Sequence, residues 1–403
     1  MQLKSKGNQL ISKIFEIRFL MFFTLLIYGI LHTYFYSSSE WLNTDYERQI
    51  DSIANSNKWF FIDGGFTSRV PPLLPIIFGL ALKFCNYFDF SILLISKFLI
   101  LGFILINSFL LFRISLEFIN DRFSLFAPFF YLLNPITIYY SFKPLSEHLF
   151  MVFFLVFILK LIQYFKNHRT KSLSMALIGF SLSLLVRPTY MYFFVFLILF
   201  LIYQNRYQLK KLLIPFSLCF LFLLPWSTYC YIHSEKIVIS STGSIQSLKD
   251  GIAYDNKGYR NTLTNDAGIR KVMDDFWNDY TNYTTTGQVF DFYLTQLKTN
   301  TIGLMKFQLL KIGRVFIGTD TINKKFELLM FLVNLPIICM LVYWFFKVFG
   351  LEHKSSLDLF FITLIIYTLL ISSVVVPLFR YIIPIFYIIP ILSYYQFRLN
   401  RKQ

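Results

Sequence analysis

Long apolar runs separated by short polar stretches extend along the whole chain. They fall at about 15–36, 71–86, 91–113, 123–141, 144–165, 171–187, 188–204, 211–232, 326–347, 357–376 and 378–396. A helix needs roughly 20 apolar residues to cross about 30 Å of hydrocarbon, so the pattern predicts an all-α, polytopic transmembrane bundle. Two polar intervals are too long to be turns, one at about 37–70 and one at about 233–325.

Basic residues orient the runs. Lys4, Lys6 and Lys13 precede the first, and the clusters Lys166/Arg169/Lys171, Arg206/Lys210/Lys211, Lys347/Lys354 and Arg398/Arg401/Lys402 lie between later ones. A positive-inside arrangement places all of them in the cytoplasm if one run before residue 113 fails to cross. The weakest is 71–86, which is short and carries Pro71, Pro72 and Pro75, so it is expected as a re-entrant or juxtamembrane helix. About ten spans remain, both termini are inside, and both long polar intervals face outward. The first run is too long for a cleaved signal and lacks a small-residue cleavage site, so it is expected as a retained span. With no internal repeat, residues 1–403 read as a single integral-membrane domain.

Composition agrees and narrows the classes: 56% of the 403 residues are hydrophobic and 15% charged, more apolar surface than a soluble core buries. The net charge of +16 sits mostly in the clusters between runs, so no nucleic-acid partner follows from it. Cys85, Cys219, Cys230 and Cys339 have no metal-ligand spacing and imply no disulfide framework. No cofactor is expected and no metal ligand is assigned, while the acids of the interval 37–70 could recruit a divalent cation only by converging.

A chain this apolar has few places for aqueous chemistry. The interval 37–70 concentrates Glu40, Asp45, Glu47, Asp51 and Asp63 beside the membrane, making it a candidate site. Ionisable groups within or at the edges of the runs are costly and tend to mark function: Lys143, Glu147, His148, Arg187 and Arg380. The topology sends Glu147, Arg187 and Arg380 to the same outer face as Asp45. Arginines clamp phosphate oxygens, and a carboxylate takes the proton of an attacking hydroxyl. Plainer roles exist for each. Arg187 and Arg380 suit snorkelling to headgroups, Glu147 suits the first turn of a helix after Pro144, His148 suits packing, and Asp45 suits a helix start with Asn43 and Thr44.

The large interval holds two amphipathic candidates, IRKVMDDFWNDY and YLTQLKTNTIGLMKFQLLKIGRVF. The second, with Lys298, Lys306, Lys311 and Arg314 beside its apolar positions, suits either an anionic membrane surface or a cap over the bundle.

The order of TDYERQIDSIA, SRVPPLLPIIFGLALKF, LNPITIYYSFKPLSEHLF, ALIGFSLSLLVRPTY, LLPWSTYCYIHSEKIVISSTGS and FRYIIPIFYIIPIL resembles the GT-C membrane glycosyltransferases. The likeness is to the glycosyltransferase family 39 branch of bacterial and archaeal proteins similar to protein O-mannosyltransferases and lipid A aminoarabinose transferases. It implies an inverting glycosyltransferase of the plasma (inner) membrane. Such an enzyme moves a sugar from a polyprenyl-phosphate donor to a glycan, lipid or protein acceptor at the extracytoplasmic face. The resemblance makes Asp45 the catalytic base and places Glu47, Arg69, Glu147, Arg187 and Arg380 at substrate. The sequence departs from the family twice: Tyr46 separates Asp45 from Glu47 where relatives have an adjacent acidic pair, and PWSTYCY lacks an Arg that often follows PW. A transporter or flippase of a lipid-linked sugar would use the same anionic-lipid groove without a base, and a noncatalytic assembly factor is a third class. The acidic first loop and the absence of paired halves favour the enzyme.

Overall fold

The computed structural model describes residues 2–34, 44–56, 58–119, 121–142, 145–253, 266–319, 324–351 and 354–400. Their architecture is all-α apart from one small hairpin. In chain order the helices are α1 (Gln2–Tyr34), α2 (Thr44–Asn55), α3 (Leu73–Phe88), α4 (Ile92–Phe118), α5 (Phe126–Leu133), α6 (Pro135–Ser141), α7 (Glu147–Asn167), α8 (Thr170–Val186), α9 (Phe193–Gln204) and α10 (Lys210–Ser234). They continue with α11 (Ser244–Ala253), α12 (Ala267–Asn278), α13 (Thr286–Thr299), α14 (Thr301–Arg314), α15 (Lys324–Phe349), α16 (Ser356–Val374), the short α17 (Ile383–Phe386) and α18 (Ile389–Asn400).

Six helices among the described residues are long and apolar enough to cross a membrane: the apolar part of α1, then α4, α7, α10, α15 and α16. α7 is the most enclosed of them and packs against α4 and α8. A Cβ at Gly179 of α8 would sit 3.0 Å from the Phe153 carbonyl of α7, so the absence of a side chain brings those backbones together. By contrast α1, α10 and α15 present large apolar side chains outward, including Phe19, Phe22, Leu213, Leu221, Leu328 and Leu332. An outward apolar surface on long helices is what a lipid environment requires. This is a membrane protein by helix length and composition.

The apolar run at 123–141 is not one helix. It breaks at Asn134, whose side chain accepts a hydrogen bond from the Ile136 amide while Pro135 begins α6. That cap-then-proline order starts a new helix. Asn134 Nδ2 also donates to Asn334 Oδ1 of α15 at 3.1 Å, so the break is tied into the bundle. The last run, 378–396, is likewise divided, by turns on either side of α17.

Charged side chains of the bundle pair at its two ends. At the end where α7 finishes, Lys166 pairs with Glu117 at 3.0 Å, Arg398 with Asp121 at 3.0 Å, and Ser356 bonds Gln204 at 2.9 Å. At the end where α7 begins lie Glu147, the end of α8 and the segment before α17, roofed by α11 to α14.

That roof has its own apolar core, built around Ile269, Met273, Phe276, Phe292 and Phe307. The amphipathic stretch expected to run unbroken over 293–316 divides at Asn300, whose Nδ2 donates to the Gly268 carbonyl at 2.9 Å. Its cations divide: Lys311 is 0% exposed and Arg314 pairs with Glu327 at 2.5 Å, whereas Lys298 is exposed and Lys306 stays exposed while pairing with Asp266 at 2.7 Å. These helices cover the bundle end, and α14 leaves the apolar Ile302, Met305 and Leu309 exposed beside Lys306.

Candidate functional site

Between the bundle end and the cap lies an open cavity of about 570 Å³. Six stretches distant in sequence line it: Tyr46 of α2, Arg69 to Pro71, Leu145 to Glu147, Val186 to Tyr192, Ser241 to Asp250, and Ile371 to Tyr381.

Local sequence explains how each side chain arrives. α2 buries Gln49, Ile50 and Ile53 and packs on α3, which turns Tyr46 of the same face toward the bundle. The hairpin pairs Phe61–Ile62 with Gly65–Phe66 about Asp63 and Gly64, both at positive φ, the Asp-Gly turn that short hairpins favour. From there the chain runs to Arg69, where the Thr242 amide donates to the Ser68 carbonyl at 2.9 Å. Trp226 Nε1 in turn donates to the Ser240 carbonyl at 2.8 Å, so the PW segment of α10 holds the irregular segment 240–243 at the cavity edge. Glu147 begins α7, Arg187 ends α8 ahead of Pro188, and Arg380 lies in a single 3-10 turn.

The centre of the site is a charge cluster. Arg187 Nη1 donates to Glu147 Oε1 at 2.9 Å, and Arg380 Nη1 stands 3.7 Å from the same oxygen. Glu147 is only 3% exposed and Arg187 9%, so the Arg187 guanidinium is held at Glu147 and does not snorkel outward. Both guanidiniums also approach the Tyr381 ring, at 5.0 and 5.4 Å from its centroid. Glu147 does not close the first turn of α7 with its side chain: Ser146 is the N-cap residue, and the carboxylate is taken by arginine. Its Oε2 is buried with no hydrogen-bond partner among the described residues. Burial raises the Tyr46 phenol above its ordinary value, while a hydrogen bond to Ser146 and the charges of Arg187 and Arg380 oppose that rise.

Of the residues singled out by sequence, Arg69, Glu147, Arg187 and Arg380 therefore share one cavity. Glu47 is half-buried on α2 and does not line it. Asp45 lies in the first turn of α2, one residue before Tyr46, and its side chain falls outside the described residues, as do Glu40, Asn43, Lys143 and Pro144. Asp51 is exposed, and Asp63 is exposed with Arg48 3.6 Å away. His148 packs inside the bundle, its Nδ1 3.0 Å from the Tyr131 hydroxyl. Tyr46, Tyr381, Gln246 and Asp250 join the site without having been singled out.

Arg69, Arg187 and Arg380 stand against Glu147 and Asp250 in the lining, and guanidiniums are donors of the kind that suit phosphate oxygens. Among the described residues no group of His, Cys, Asp or Glu is arranged to hold a metal ion. No protein-family model matches the chain, and no curated protein or solved structure matches it significantly.

Proposed function

We propose that the chain is an integral-membrane glycosyltransferase of GT-C type that takes its sugar from a polyprenyl-phosphate donor at the extracytoplasmic face. The observation that carries this reading is the meeting of Arg69, Arg187, Arg380 and Glu147 around one cavity at the end of an apolar bundle. An amphiphile with an anionic head fits such a place: its tail lies along the outward apolar helices while its phosphate reaches the guanidiniums. A ten-crossing topology with both termini in the cytoplasm puts every cavity-lining stretch on the outer side. The separate polar contacts at the opposite end, through Glu117, Asp121, Lys166 and Arg398, support that arrangement. α3 then serves as the juxtamembrane helix, and α5 with α6, and the segments around α17 and α18, cross in pieces.

Asp45 is the general base of this mechanism. It removes the proton of the acceptor hydroxyl as that oxygen attacks the anomeric carbon, and the arginines stabilise the departing lipid phosphate. The acceptor is a glycan, lipid or protein hydroxyl.

The test is sugar transfer by the purified protein from a panel of decaprenyl-phosphate sugars, with Asp45→Asn alongside and donor binding measured in parallel. The variant is expected to bind donor normally and to lose about 10² to 10⁴ in rate, the contribution of a positioned base. Turnover within a few fold of wild type moves the base elsewhere, to Glu47 or Asp51. Wild type that moves lipid-linked sugar across vesicles without transferring it establishes a flippase instead.

A further inference from the structure

The cavity has a second wall of different chemistry, supplied by α11 of the cap. Gln246 and Asp250 stand one turn apart on that helix and both line the cavity, with Ser241 and Ser247 beside them. Their geometry is fixed from behind. Gln246 Nε2 donates to Asp250 Oδ1 at 2.7 Å and to the Tyr280 hydroxyl at 2.7 Å, and the Tyr280 hydroxyl donates to Asp250 Oδ1 at 3.1 Å. This closed triangle uses the amide hydrogens of Gln246 and one carboxylate oxygen of Asp250. What remains are two acceptors, Gln246 Oε1 and Asp250 Oδ2, which meet no donor among the described residues. The neighbouring cation does not fill them, because Lys249 Nζ donates to the Tyr283 carbonyl at 3.0 Å and sits 4.1 Å from the Tyr280 ring.

An ionised phosphate offers acceptors only, so this wall repels what the arginine rim attracts. A ligand group rich in hydroxyl donors is what two fixed acceptors one helical turn apart can hold, and neighbouring sugar hydroxyls present that pattern. We infer that Gln246 and Asp250 form the subsite for the sugar ring of the lipid-linked ligand, with Tyr280 as the residue that positions both. The inference rests on the phosphate reading of the rim. The two walls together orient the ligand, its anionic end toward Arg187 and Arg380 and its hydroxyls toward the cap.

The experiment compares decaprenyl phosphate with its mannosyl, glucosyl and N-acetylglucosaminyl phosphodiesters, binding each to the full chain in nanodiscs by native mass spectrometry. Wild type is expected to bind at least one sugar-bearing lipid more tightly than bare decaprenyl phosphate. Asp250→Asn should weaken that lipid roughly 10-fold or more, the scale of a charged hydrogen bond, and leave bare decaprenyl phosphate within about 2-fold. Tyr280→Phe, which leaves the cavity lining unchanged, should shift the same preference in the same direction. Equal weakening of bare and sugar-bearing lipids by Asp250→Asn, or no preference in wild type, overturns the subsite while the phosphate reading stands. Failure of wild type to bind any of the four lipids overturns the phosphate reading and the subsite with it.

Discussion

Arg187 at the end of α8 reaches Glu147 at the start of α7 with a 2.9 Å hydrogen bond, and both side chains are almost fully withdrawn from solvent. A buried pair like this is costly to form and costlier to break on one side only, because the survivor keeps its charge without its partner. Glu147 also stands near Arg380, so one carboxylate restrains two guanidiniums.

Glu147→Gln should therefore act in opposite directions on fold and ligand. Thermal stability falls, by about 2 kcal/mol, since an amide accepts from Arg187 but does not offset its charge. Affinity for decaprenyl phosphate rises, because the ligand no longer competes with a resident anion. Unfolding midpoints and lipid titrations on one preparation check both. A simultaneous fall in affinity would mean that Glu147 is needed to aim the arginines.

Arg187→Gln and Arg380→Gln should each weaken decaprenyl phosphate binding by about 1.5 to 3 kcal/mol, the range of a hydrogen bond to a charged group. Arg187 carries the added burden of the buried pair, so its variant is also expected to unfold earlier. Unchanged lipid affinity in both variants returns the two residues to a purely structural part.

Lys311 offers a pH test of the cap. It is fully buried, and its ammonium donates to the Gly251 carbonyl at 2.7 Å and the Val374 carbonyl at 3.2 Å, in the last turns of α11 and α16. Those are the negative ends of two helix dipoles, yet burial still holds the lysine well below its ordinary value. Between that lowered value and the unfolded chain's roughly 10.4, the unfolded state binds more protons, so stability rises with pH across the window. Below the folded value the penalty is full and the contribution is flat. Unfolding followed by Trp277 fluorescence in the cap should show this rise in wild type and lose it in Lys311→Met. Parallel slopes in the two proteins would place the titration elsewhere.

The topology predicts which positions an impermeant thiol reagent reaches in intact cells. In a chain freed of its own cysteines, Asp51→Cys and Asn282→Cys should label from outside, whereas His168→Cys and Gln208→Cys should label only after permeabilisation. Strong outside labelling at 168 or 208 would invert the arrangement.

The cluster at Glu147, Arg187 and Arg380 is legible in the sequence because charge interrupts apolar runs there, and the alternation of spans sends those interruptions to one side. Helix breaks are less legible. The Asn134-Pro135 pair is a start signal, but it lies inside a run whose hydropathy alone reads as continuous. Tyr46 is hidden by chemistry: it stands between two acids that draw attention, and its own signal is a helical spacing shared with Gln49, Ile50 and Ile53. α11 is hidden by its shortness. Ile245, Leu248 and Ile252 repeat at helical spacing, yet ten residues bearing one Lys and one Asp do not stand out in a polar interval of some ninety. The division at Asn300 depends on Gly268, 32 positions away, which no local pattern reveals.

Two glycines flank the cavity-facing residues of α11. A Cβ at Gly243 would fall 2.5 Å from the Arg69 carbonyl oxygen, and one at Gly251 would fall 2.7 Å from the Val375 carbonyl carbon. Main chain thus rests on main chain at both ends of the helix, and that contact sets how close α11 stands to the segments that carry Arg69 and Val375. A methyl group added at either glycine would push α11 off the backbone it rests on, so the place of the Gln246–Asp250 wall is written in two residues that have no side chain at all.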